Sequence, residues 1–202
     1  APSSSSSKNA NIAVVILAAG SSSRAKCNKL LKEYDGAPVF MKAVQAALAS
    51  KASPIYLISG YQHEDLEEYL QDIDINIVYN SDYRSGIKPP TRLGLSLVPN
   101  SCQGAVLLPA DMPNIKASDI NKLIDKFNPN LEKQVIMYSY KDVKKNPILW
   151  SKSLFSEADL VPENVATRGA FIEHTDYTTL IKTTKENLLW DVTYPADIEK
   201  LK

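Results

Sequence analysis

The chain is 202 residues long and 44 % apolar, which fits one ordinary domain with a core that needs no disulfide scaffold. Lysine plus arginine and aspartate plus glutamate balance at 23 each, which excludes the basic field of a nucleic-acid binder but leaves room for a local pocket for a small anion. Two cysteines, Cys27 and Cys102, make neither a metal cluster nor a disulfide framework and suit a reducing cytoplasm, and the longest apolar run, at 13–19, is too short to span a membrane.

In chain order, residues 1–10 (APSSSSSKNA) read as a disordered Ser-rich linker or cloning remnant, with no charged-then-apolar signal segment. Apolar runs of strand length follow at 11–17 (NIAVVIL), 54–59 (PIYLIS), 75–79 (INIVY), 104–108 (GAVLL) and 134–139 (QVIMYS). They are short, rich in Val and Ile and mostly unalternating, as strands covered on both faces should be. Helix-period segments separate them at 39–50, 63–72, 91–98 and 118–127, the last with Ser118 as a plausible N-cap. After residue 140 the pattern loosens into NPILW, a polar helical stretch around 151–173, a strand-like YTTLIKTT at 177–184 and a final helix from Pro195. The alternation predicts one α/β domain over 11–202, a three-layer α/β/α arrangement with a mostly parallel, Rossmann-like sheet. Ligands of such sheets sit outside the carboxyl ends of the strands.

The segment after the first run, LAAGSSSRAKCNK at 17–29, combines small residues with fixed charge. Gly20, with no Cβ, and Ala18, Ala19, Ser21, Ser22 and Ser23, with little side-chain bulk, let backbone N–H groups converge on an anion. Arg24 offers a planar fork of donors and Lys29 a point charge, which together suit a triphosphate. Neither G-x-G-x-x-G nor the P-loop motif is present, so this is a phosphate loop of another kind.

LAAG-x-x-x-R-x-x-x-x-K after a first strand resembles the signature of the MobA-like nucleotidyltransferases, and NKLL at 28–31 is similar to the branch that contains molybdenum cofactor cytidylyltransferase. Four further blocks resemble the family in order: YNSDYRSGIKPPTRLGL at 79–95, LLPADMP at 107–113, KKNPILW at 144–150 and LLWDVTYPADIEKL at 188–201. The resemblance implies a fold of the nucleotide-diphospho-sugar transferase type. It also implies a reaction in which a substrate phosphate attacks the α-phosphorus of CTP and releases pyrophosphate, with molybdopterin as acceptor.

On the same resemblance, Arg24, Lys29 and Asp111 are the catalytic candidates, and the loop 17–24 with Lys29, Asn80 and Gly86 binds the nucleotide. Asp111 holds the catalytic Mg²⁺, with Mn²⁺ as an alternative, and Asp191 is either a second ligand or an acid at a helix N-terminus. Asn146 and Pro147 either floor the acceptor pocket or simply turn the chain, and Arg168 either holds the acceptor phosphate or is an exposed helical arginine. The implied partners are CTP or another nucleoside triphosphate and molybdopterin, with the chain either part of, or partner to, a molybdopterin-binding protein.

The chain departs from the family pattern at Ala25 and Lys26, at Lys88 to Pro90, at Lys145, over 163–167 and at Thr193. These positions face the pocket in the family. They leave open a related transfer using GTP or a sugar or polyol phosphate, and a nucleotide-binding module without catalysis. No role is expected for Cys27, and His63 and His174 read as surface residues. The scattered tyrosines at 79, 83, 138, 140, 177 and 194 read as structural.

Overall fold

A computed structural model describes residues 10–18, 29–81, 90–158, 175–192 and 196–198. The apolar run IAVVILA forms β1 (Ile12–Ala18), a strand buried along nearly its whole length. It pairs in parallel with β4 (Ile55–Ser59) on one side and with β6 (Gly104–Pro109) on the other. β5 (Asn76–Tyr79) continues the parallel set outside β4. Beyond β6 comes β8 (Val143–Ser151), antiparallel to β6 and to β7 (Val135–Tyr140), and then β9 (Thr178–Lys182), parallel to β7. The seven-stranded order is β5-β4-β1-β6-β8-β7-β9, with β8 the single reversed strand. A separate two-stranded pair, β2 (Glu33–Tyr34) and β3 (Ala37–Pro38), turns through Asp35 and Gly36 at φ 51° and 86°.

The pleat of β1 sorts the core into two halves. Val14 and Ile16 face α1 (Val39–Ala49), α2 (His63–Tyr69) and α4 (Ala117–Lys126), whereas Ala13 and Val15 face α3 (Pro90–Leu97) and α5 (Phe155–Ala158). Helices therefore cover both faces, and a strand between two such layers has to be apolar at every position. α3 lies so close to β1 that a Cβ at Gly94 would overlap Cγ1 of Val15.

Two expectations need correction. The N-cap of α4 is Lys116, not Ser118, because the Asp119 carboxylate reaches back to accept the Lys116 N–H at 2.8 Å and fixes the start of the helix there. NPILW belongs to β8, a nine-residue strand, and not to a loosened segment. The ladder with β7 shifts between Met137 and Tyr138, paired with Ile148 and Lys145, so that Asn146 and Pro147 are bulged out and the missing proline N–H breaks no ladder bond. Of the polar helical stretch expected around 151–173, the described part holds a 3-10 turn Lys152–Leu154 and the four-residue α5, and 159–173 lie outside the described residues. At the end of the chain 196–198 form a 3-10 turn, and Pro195 lies outside the described residues.

Candidate active site

From β1 the chain steps outward to β4 and β5, then returns through α3 to place β6 on the opposite side of β1. The carboxyl ends of the adjacent parallel strands β1 and β6 thus lie side by side on one edge of the sheet, the edge outside which ligands of open α/β sheets bind. The rim is fixed by backbone: β1 and β6 stay in register to Leu17 and Pro109, and Ala110 N–H donates to Leu17 O at 3.0 Å. The next residue is Asp111.

Lys29, 82 residues earlier in the chain, donates from Nζ to Asp111 Oδ2 at 2.9 Å. The two side chains are only 14 % and 19 % exposed. Lys29 is aimed by its neighbours. Leu30 is buried, Phe40 N–H donates to Leu30 O at 3.1 Å and Val39 N–H to Lys32 O at 3.0 Å, so the segment after the loop is tied to the start of α1.

A third charge joins the pair through the other end of the domain. Val192 is fully buried, and its N–H donates to Asp111 O at 2.8 Å, which holds the exposed Asp191 beside Asp111. Burial pushes the Asp111 carboxyl above its ordinary pKa, the Lys29 ammonium pulls it back in part, and the negative charge of Asp191 pushes it up again. The two carboxylates are hard-oxygen ligands suited to a divalent cation. Among the described residues no third histidine, cysteine or acid joins them. That set fits Mg²⁺ or Mn²⁺, which takes one or two carboxylates and fills its other positions with phosphate oxygens and water.

Two residues outside the expected set brace this corner. Tyr34 donates to Asn114 Oδ1 at 2.8 Å, and Asn114 Nδ2 donates to Asn187 O at 2.8 Å. The β2–β3 turn, the segment after β6 and the approach to Asp191 are thereby tied together. Polar residues in loops carry no local signal of partners some 70 or 80 residues away, and neither residue stands out in the sequence.

The remaining expected residues divide by place. Leu17 and Ala18 form the end of β1, and Asn80, 5 % exposed, follows β5 on the same edge with its N–H donating to Ser59 O at 2.9 Å. Asn146 and Pro147 sit just past the last β6–β8 pair, Leu107 with Ile148, on the carboxyl side of β6 and so on the edge that carries Asp111. Ala19, Gly20, Ser21, Ser22, Ser23, Arg24, Gly86 and Arg168 lie outside the described residues.

His63, expected at the surface, is three-quarters covered. The Ser59 hydroxyl at the end of β4 meets its Nδ1 at 2.5 Å, Tyr79 lies beside the ring at 4.8 Å between centroids, and Glu67 is 3.4 Å from Nε2. A side chain at the first position of α2 is close enough to the preceding strand end for Ser59 to capture it.

Comparison with known proteins gives a consistent set of relatives. The MobA-like NTP transferase domain matches residues 14–177. The Escherichia coli (strain K12) molybdenum cofactor cytidylyltransferase is 25 % identical over 184 residues, which cover 91 % of each chain. The bifunctional protein GlmU of Marinomonas sp. (strain MWYL1) is 32 % identical over 120 residues, 58 % of this chain but only 26 % of that protein. Among solved structures, Rv0371c of Mycobacterium tuberculosis superposes with a TM-score of 0.79 at 20 % identity, covering 95 % of this chain and 97 % of its own, and shares the fold. A second structure of Rv0371c, TM-score 0.78 and 19 % identity over the same shares of the two chains, is a complex with manganese.

Proposed function

We propose, from the premise that the chain belongs to the MobA-like NTP transferase family, that it transfers CMP from CTP to a phosphate-bearing acceptor, molybdopterin, and releases pyrophosphate. The observation that carries this reading is the half-hidden Lys29–Asp111 pair at the carboxyl ends of the adjacent strands β1 and β6. A structural ion pair would serve as well anywhere on the surface; this one stands where an open α/β sheet binds its ligand.

An oxygen of the acceptor phosphate attacks the α-phosphorus, the bond to the bridging oxygen breaks, and pyrophosphate leaves with that electron pair. The protein has little covalent work to do, so positioning and charge neutralisation carry most of the catalysis. The small residues from Ala18 to Ser23 let the backbone approach the triphosphate, with Arg24 and Lys29 neutralising it. Asn80 and Gly86 complete the nucleotide side. Asn146, Pro147 and Arg168 face the acceptor, and the first two stand on the Asp111 edge of the sheet. Asp111 and Asp191 would hold Mg²⁺ or Mn²⁺, which supplies further neutralisation of the phosphates when bound. The manganese complex of a protein of the same fold supports the use of a divalent cation.

The choice of CTP and molybdopterin rests on similarity to a cytidylyltransferase across 91 % of the chain. The departures at Ala25, Lys26, Lys145 and Thr193 favour a second reading, in which the same chemistry serves GTP or a sugar or polyol phosphate. Incubation with each nucleoside triphosphate in turn, Mg²⁺ and either molybdopterin or a set of sugar and polyol phosphates, following pyrophosphate, separates the two. Release with CTP and molybdopterin is expected, reduced roughly a hundredfold or more in Asp111→Ala. No release with any nucleotide and any of these acceptors despite measurable binding would overturn the enzymatic assignment and leave a binding module.

A further inference from the structure

The proposed reaction gives Lys29 and Asp111 separate tasks, the one on phosphate and the other on the metal, yet the two side chains hold each other at 2.9 Å. With Asp191 beside them, the three groups carry one net negative charge, from two carboxylates and one ammonium. A divalent cation asked to bind there meets a carboxylate already neutralised and an ammonium that repels it. Once the ammonium swings away, the same site carries two negative charges and matches the cation.

Lys29 has the means to leave. Its stem is flexible, its charge is a compact point, and solvent screens it poorly at 14 % exposure, so it moves readily only toward another anion. A triphosphate arriving at this edge of the sheet supplies that anion.

We propose that Lys29 is the resident counter-ion of Asp111, and that it blocks binding of the free metal ion until a triphosphate draws it off, so that cation and nucleotide enter as a linked pair. The proposal rests on the nucleotidyltransferase reading and adds an order of binding to it. Thermodynamic reciprocity follows: whatever the triphosphate does for cation affinity, the cation does for the triphosphate.

The experiment measures binding of Mn²⁺ alone by loss of the free-ion electron paramagnetic resonance signal, with no nucleotide present and no turnover required. Wild type should bind weakly. Lys29→Met should tighten binding by about tenfold or more, the low end of what one adjacent charge does to a proton's affinity for a carboxylate. Lys29→Gln, which drops the charge but keeps length and a hydrogen-bond donor, should show the same gain and covers the case in which the methionine variant does not fold. Lys29→Arg should stay weak, and Asp111→Asn added to Lys29→Met should erase the gain.

Neutral variants that melt cooperatively and bind Mn²⁺ no tighter than wild type would overturn the proposal, as would undetectable binding throughout. The two readings fail separately. Missing pyrophosphate release leaves the Mn²⁺ comparison standing, and an unchanged Mn²⁺ affinity leaves the transferase reading standing.

Discussion

At the scale of single residues, the site is a contest between burial and charge, and Asp111 shows which wins. Desolvation raises its carboxyl pKa more than Lys29 lowers it. A protonated Asp111 can hold neither an ammonium nor a cation, so activity should fall as the pH drops through this raised value, above the ordinary carboxylate pKa of about 3.9. Stability runs the other way. A carboxyl whose folded-state pKa is raised contributes fully below the unfolded value, and that contribution is lost as pH rises through the folded one. Titrated without metal or nucleotide, the Asp111 carboxyl should therefore ionise above the ordinary range, and the limb of that titration should move higher still in Lys29→Met, which has lost the charge and hydrogen bond that hold the pKa down. A limb that moved downward in that variant would contradict the assignment. Lys29 and Asp111 were legible in the sequence because each falls inside a spaced motif. Tyr34 and Asn114 were not, because what makes them matter is a hydrogen bond between chain segments 80 residues apart.

At the scale of elements, legibility follows the environment of each strand. β1, β4, β5, β6 and β7 are parallel neighbours or lie under helices, so their short apolar runs stand out within a residue or two of the observed limits. β8 was hidden by Asn146 and Pro147, which read locally as a turn and are accommodated as a bulge only because β7 shifts register against them. Gly94 is a second case of tertiary packing overriding a local signal. Alanine is the better helix former by roughly 1 kcal/mol, yet its methyl group would collide with Val15, and overpacking of that kind costs about 1–3 kcal/mol. Gly94→Ala should thus destabilise the domain in chemical denaturation. Val15→Ala in the same chain should recover part of the loss, making the pair less than additive. Simple additivity would mean that α3 does not rest on β1 at that point.

At the scale of the whole molecule, strand order does what no single motif can. Stepping from β1 to β5 on one side and reappearing as β6 on the other brings Lys29, Asp111 and Asp191 to one edge from three distant parts of the chain. The alternation of strands and helices announced the parallel core, but it said nothing of β8 reversing or of the final segment returning to Asp111, since both are settled by long-range pairing. A site assembled this way exists only in the folded state, so its ligands should stabilise the whole domain by mass action. At about a hundred times the dissociation constant that amounts to about 2.7 kcal/mol, or roughly 5–10 °C in melting temperature for a domain of this size. CTP with Mg²⁺ should produce a shift of that order, GTP a smaller one, and Mg²⁺ alone almost none, because Lys29 already neutralises Asp111. A larger shift with GTP would overturn the cytidylyl assignment without touching family membership. A large shift with Mg²⁺ alone would instead remove Lys29 as the barrier to the free cation.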